Sequence, residues 1–221
     1  ASRCSAPIFM KKQLDILEKE LQTLKKNEKV EAVLLIGSVA YGTATDDSDL
    51  DIIVISDKDR FESKYVENIL VEIHFHKYGT LVKHLDNNPN EVYKYLFSKI
   101  IFDNGQLEKL IAKAKEIYND YCIPDKEKED ICYWLTATKI KLLSAINSND
   151  EMKISYLLST NTWKVLEGVW AKNNKLMPPS SIAFVKNSEL TCVPCYDWLS
   201  KLLVGDNLSR ANIMIRIIDW I

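Results

Sequence analysis

Asp49 and Asp51 stand two residues apart at the start of an apolar run, Asp49-Leu50-Asp51-Ile52-Ile53-Val54-Ile55. Alternation along a strand puts both carboxylates on one face and Leu50, Ile52 and Val54 on the other. Two such carboxylates repel each other unless a cation sits between them; alone, the pair reads as solvated decoration of a strand entry, and the Gly-Ser upstream changes that balance. Upstream, Leu34-Leu35-Ile36 reads as a buried strand end broken by Gly37-Ser38. Only a brief helix over Val39-Ala40-Tyr41 fits before Gly42 stops it. A helix start after Gly-Ser offers free N–H groups and a positive dipole end, which suit a polyphosphate. Gly37 permits close backbone approach, and the Ser38 hydroxyl can donate to a phosphate oxygen. The two aspartates would then hold a hard divalent cation, Mg²⁺, against the same phosphates. A third carboxylate lies in Val71-Glu72-Ile73-His74-Phe75-His76. There the apolar residues share one face, and Glu72, His74 and His76 share the other. If this strand pairs with the aspartate strand with apolar faces matched, Glu72 joins the two aspartates.

Gly37-Ser38, ten intervening residues and Asp49-x-Asp51 resemble the signature of the DNA-polymerase-beta-like nucleotidyltransferase superfamily. The flanks Gly37-Ser38-x-Ala40-x-Gly42-Thr43 and Ser48-Asp49-x-Asp51 are most similar to its small bacterial branch. That branch holds minimal nucleotidyltransferases and antibiotic-modifying enzymes of the kanamycin type. The family often has a basic residue where this chain has Val39 or Tyr41. The resemblance implies an enzyme that moves a nucleoside monophosphate from a triphosphate, ATP by family weight, to an acceptor hydroxyl, with release of pyrophosphate. It implies Asp49, Asp51 and Glu72 as metal-binding and catalytic residues, Mg²⁺ as cofactor, and Gly37, Ser38 and Ser48 as phosphate contacts. Glu72 is either the third metal ligand or the general base; Glu129, Asp130 or Glu167 could supply the base instead, as in one branch. His74 and His76 share the site face and could touch substrate. The acceptor is read as a small molecule of the aminoglycoside or lincosamide kind, which would make this an antibiotic-resistance enzyme. The rival readings are a protein AMP-transferase of the antitoxin type and a catalytically idle nucleotide-binding or interaction protein. A ribonuclease of the toxin type is excluded, because it needs an Arg followed closely by a His and no His follows His84.

Composition narrows the partners. The 221 residues carry 29 Lys+Arg against 31 Asp+Glu, a formal net charge of −2. A chain that holds long nucleic acid would show a basic face, and the only arginines are Arg3, Arg60, Arg210 and Arg216. No apolar run reaches membrane-spanning length, and no signal-peptide pattern opens the chain, whose residues 1–7 carry no pattern. Five cysteines, an odd and scattered set, suggest reduced thiols in a cytoplasm. Cys192-Val193-Pro194-Cys195 stands alone, far in sequence from all three histidines, and reads as ordinary helix-start residues. A homodimer is left open.

The elements that must position the site read as α+β, with a small mixed β-sheet flanked by helices and followed by an all-α bundle. Residues 9–29 form an amphipathic helix through Leu14, Leu17, Leu21 and Leu24. A strand over 29–36 leads into the signature, and 57–60 reads as a polar loop. Helices over 78–85 and 91–97 flank Asn87-Asn88-Pro89-Asn90, and a short β-rich run at 99–102 ends in Asp103-Asn104-Gly105. That turn sets the expected boundary between a catalytic domain, 1–104, and a helical domain, 105–221. Beyond it the apolar period is 3.6 throughout, with helices over 107–118, 125–147 and 154–170 and shorter ones after Pro178-Pro179. All five tryptophans fall in this half and read mainly as core.

Overall fold

Strand β1 (Ala32–Ile36) is apolar and buried at every position, the pattern of a strand covered on both faces. The computed structural model, which describes residues 11–27 and 29–221, sets it inside a five-stranded sheet. The other strands are β2 (Leu50–Ile55), β3 (Arg60–Val66), β4 (Ile69–His76) and β5 (Lys99–Asp103), in the order β3-β4-β2-β1-β5. β2 and β4 run parallel and the remaining pairs antiparallel, so the sheet is mixed. Leu50, Ile52 and Val54 of β2 and Val71, Ile73 and Phe75 of β4 face one core with Ile16, Leu17 and Leu24 of helix α1 (Lys11–Asn27). The opposite face is left to Asp51 and Glu72, and to His74 and His76 further along β4. The unpatterned residues 1–7, with Arg3 and Cys4, and the outer ends of the helix expected over 9–29 lie outside the described residues.

One strand differs from the expected elements. Residues 57–60 do not merely loop: Arg60 opens β3, whose burial pattern shows exposure at five successive positions. Arg60, Glu62 and Lys64 share one face of this edge strand and Phe61, Ser63 and Tyr65 the other, so with neither face buried the alternation lacks the apolar side that marks a strand. It returns into β4 through Glu67-Asn68, both with positive φ (52° and 65°). That is the backbone of a tight two-residue hairpin turn.

The remaining elements are α2 (Gly37–Tyr41), α3 (Tyr78–Asn87), α4 (Val92–Leu96), α5 (Leu107–Asp120), α6 (Asp125–Asn147), α7 (Glu151–Lys172), α8 (Ser180–Lys186), α9 (Trp198–Leu203) and α10 (Asn207–Trp220). The sheet ends at Asp103, beside the expected break at residue 104. Compactness nevertheless groups α5 with the sheet: one unit runs to Asp120 and takes in Pro178–Val185, and the other holds Tyr121–Met177 and Lys186–Ile221. The second unit has its own core, with Leu135 and Leu142 of α6, Leu158 and Val165 of α7, and Met214 and Ile217 of α10. Trp170 and Trp198 are buried there, while Trp134 and Trp163 are partly exposed. The four cysteines among the described residues are free thiols. No helix among the described residues is long and apolar enough to cross a membrane.

Candidate active site

Parallel pairing of β2 with β4 sets Asp51 directly beside Glu72, and Asp49 stands one residue before β2. One oxygen from each of the three carboxylates lies within 4.8 Å of the others, the only such metal-competent group among the described residues. Alternation on β4 is what aims Glu72 at this point: Val71, Ile73 and Phe75 are buried, and Glu72, His74 and His76 are half-buried. Burial and the crowding of negative charges act on Asp51 together. The Asp51 carboxyl is pushed up to about 6, first by burial and then by the charges of Asp49 and Glu72, with Lys94 pulling the other way. Three oxygen donors, with one carboxyl destabilised as an anion by its surroundings, fit a hard divalent cation.

Gly37 makes this packing feasible. Its φ is +70°, and a Cβ built on it would lie 2.1 Å from Asp51 Oδ2. Any side chain there would strain the backbone and displace the carboxylate at once. The short α2 ends at Gly42, in the left-handed conformation, which donates its N–H to the Ser38 carbonyl. Thr43 N–H donates to the same carbonyl at 3.0 Å. The Ser38 hydroxyl itself is buried and has no partner among the described residues. Ser48 is engaged in its own turn: its Oγ accepts from Thr45 N–H at 2.8 Å.

The loop before Asp49 is pinned by a residue that sequence reading did not single out. Gln13 of α1 is fully buried, and its Nε2 donates to the carbonyls of Thr45 and Asp46 at 3.2 and 3.0 Å. On the sequence it is one more polar residue of an amphipathic helix, with no signal to mark it. Tyr41, at the end of α2, is pushed up to about 12, mainly by burial and then by Asp51. The three alternative bases lie in the second unit: Glu129 and Asp130 are exposed on α6, and Glu167 on α7 pairs with Lys164.

His74 and His76 stack along β4, and His84 of α3 meets His76 edge to face. Burial holds the His74 and His76 imidazoles below the usual histidine range. Lys94 adds to this for His74, and His84 does so for His76. His76 Nδ1 lies 3.5 Å from Asp59 Oδ1. That carboxylate accepts from Lys77 N–H at 3.0 Å and from Thr80 Oγ1 at 3.1 Å, fixing the start of α3 against β4.

Comparison with known proteins agrees with the geometry. Residues 18–107 match the family model described as polymerase beta, nucleotidyltransferase. A candidate protein adenylyltransferase from Methanocaldococcus jannaschii is 31% identical over 119 residues, covering 54% of this chain and 91% of that protein. A nucleotidyltransferase-like protein from Exiguobacterium sibiricum aligns over 95% of this chain and 73% of its own, with 13% identity and a TM-score of 0.39. That last likeness is too slight to bear on the assignment.

Proposed function

The chain belongs to the polymerase-beta-like nucleotidyltransferase superfamily, and from that premise we propose that it transfers AMP from ATP to an acceptor hydroxyl in a Mg²⁺-dependent reaction. The observation that carries the reading is the group of Asp49, Asp51 and Glu72 oxygens within 4.8 Å, built on adjacent parallel strands. The superfamily typically works with a divalent metal, and these three carboxylates would hold it. Bound there, Mg²⁺ supplies the Lewis acidity that polarises the α-phosphate and offsets charge on the attacking and leaving oxygens.

The chain's own residues do the rest. Gly37 lets backbone and Asp51 approach the phosphates together. The unpartnered Ser38 hydroxyl is the donor for a phosphate oxygen, and Ser48 contributes from the turn it shares with Thr45. The acceptor oxygen forms its bond to the α-phosphorus as the bond to the β-phosphate oxygen breaks, and pyrophosphate leaves. Glu72 is the metal's third ligand or takes the hydroxyl proton. A base at Glu72 needs hydrogen-bond reach to the acceptor.

Two acceptor classes follow. A small-molecule hydroxyl, of the aminoglycoside or lincosamide kind, rests on the likeness of the signature to antibiotic-modifying enzymes. A protein Ser, Thr or Tyr hydroxyl is favoured by the name of the archaeal relative. The test is transfer from α-labelled ATP with Mg²⁺ to a panel of aminoglycosides, lincosamides and proteins. Label should enter one class and pyrophosphate should appear with it. Asp51→Asn should lower the rate by at least about a hundredfold, on the order of 3 kcal/mol of barrier. A folded Asp51→Asn protein that transfers at the native rate would falsify the assignment.

A further inference from the structure

All three histidines of the chain line a single cavity of about 100 Å³, although the proposed reaction needs none of them. His74 and His76 come from β4 and His84 from α3. Glu91 stands just before α4, which supplies Lys94 and Tyr95. The cavity lies on the sheet face that carries Asp51 and Glu72, with His74 two residues along β4 from Glu72. Lys94 is near enough to the triad to influence the Asp51 carboxyl.

The lining offers hydrogen-bond donors from several sides. Lys94 brings an ammonium, each imidazole an N–H, and Tyr95 a hydroxyl. Tyr95 is 2% exposed, and its hydroxyl has no partner among the described residues. The His76 Nδ1 is turned to Asp59 Oδ1, 3.5 Å away, which leaves its Nε2 for the cavity. The one carboxylate of the lining, Glu91, is already held by Lys94 at 2.8 Å. A buried hydroxyl without a partner costs free energy, so an occupant that accepts from Tyr95 and from the Lys94 ammonium at once suits this wall. The volume is room for about three waters, or for one tetrahedral oxyanion. A metal ion suits it less. The only His, Cys or carboxylate group gathered within 4.8 Å among the described residues is the triad, and the Lys94 ammonium would repel a cation.

We propose that this cavity is a binding site for a single phosphate-type oxyanion, separate from the carboxylate triad. The oxyanion is either free phosphate or pyrophosphate, or the phosphoryl group of a phosphorylated acceptor. The second source rests on the reading of the triad as a nucleotidyltransferase centre; the site itself does not.

Because the chain has three histidines and all line the cavity, its histidine ring resonances report on it directly. The metal-free protein, kept in chelator at fixed pH and ionic strength, is titrated with inorganic phosphate, pyrophosphate and a sugar phosphate monoester. Phosphate should shift the His76 and His84 signals saturably, and chloride should not. Lys94→Met and Tyr95→Phe should each weaken binding about tenfold, as expected for one hydrogen bond to a charged ligand. A monoester that binds as tightly as free phosphate points to a phosphorylated acceptor. Binding restricted to the inorganic anions points to free phosphate or pyrophosphate. No saturable shift, or an equal shift in the wild type and both variants, overturns the site. No nucleotide, metal or turnover is involved, so that failure leaves nucleotidyl transfer standing, and an inactive enzyme leaves the cavity to be judged on its own titration.

Discussion

Asp51 is a carboxylate placed where its own charge is unwelcome. Burial and the neighbouring Asp49 and Glu72 raise it from 3.8 to about 6. In metal-free protein the folded state therefore binds more protons than the unfolded chain between those values, and stability falls as pH rises through that window. The contribution is intact below pH 4 and lost above pH 6. Asp51→Asn removes the charge and keeps the size. In chelator, its melting temperature should match the wild type near pH 4 and exceed it at pH 7. The gap should be on the order of 1–2 kcal/mol once solvent screening of a partly exposed group is allowed for. Added Mg²⁺ should close the gap by stabilising only the wild type. Melting curves from pH 4 to 8, with and without Mg²⁺, read both effects; a constant offset across the range would sink the electrostatic account. The residues of this site were legible because strand alternation is a local rule, and Asp49, Asp51 and Glu72 could be put on one face by counting. Gln13, His84, Lys94 and Tyr95 lie on helices. Which helical residue meets a loop or a sheet face depends on packing that no period discloses, and so they stayed hidden.

The β3–β4 hairpin shows the same limit for whole elements. β4 declares itself because one face is buried, in strict alternation. β3 is exposed at its five central positions, and although Arg60, Glu62 and Lys64 alternate with Phe61, Ser63 and Tyr65, no buried apolar face makes that alternation stand out from a polar loop. Its existence is dictated from outside, by the open edge of β4. The joining turn carries its own inefficiency. Glu67 and Asn68 both sit at positive φ, a conformation that costs an L-residue roughly 1–2 kcal/mol and that Asn-Gly adopts readily. Replacing Glu67-Asn68 by Asn-Gly sacrifices the contact of Lys19 with Glu67, an exposed ion pair of small worth. The double variant should be more stable by about 1 kcal/mol, a rise of roughly 2–4 °C in Tm. Because β4 carries Glu72, a tighter hairpin should leave nucleotidyl transfer unchanged or slightly faster. A lower Tm would show that the turn is held for another reason.

Across the whole molecule, two cores divide the work. The first unit packs the sheet that carries the triad around Leu35, Ile52 and Phe75, and the second packs α6, α7 and α10 around Leu142, Leu158 and Ile217. The chain does not pass once from one to the other. It leaves the second unit at Pro178, spends eight residues through Val185 in the first, and returns at Lys186. The excursion is fastened near the signature, where Thr43 Oγ1 donates to the Ser181 carbonyl at 3.1 Å. Pro178-Pro179 marks its start as a break, but a break does not say to which unit the next segment returns, and a boundary read from one turn allows only one crossing. Ligand linkage separates the two units experimentally. On the proposed function, ATP with Mg²⁺ should bind the unit that holds the triad and stabilise it by RT ln(1 + [L]/Kd), about 2.7 kcal/mol at a hundredfold excess over Kd. Leu142→Ala opens a cavity in the other core, at a cost of about 2–5 kcal/mol. If each core unfolds on its own, calorimetry should resolve two transitions, one raised by ATP with Mg²⁺ and the other lowered by Leu142→Ala. Hydrogen exchange should then show nucleotide protection in the sheet and none in α6 and α7. A single transition moved by both perturbations would mean that the Pro178–Val185 excursion couples the cores, and Thr43→Val, which cuts its fastening, should then split that transition in two.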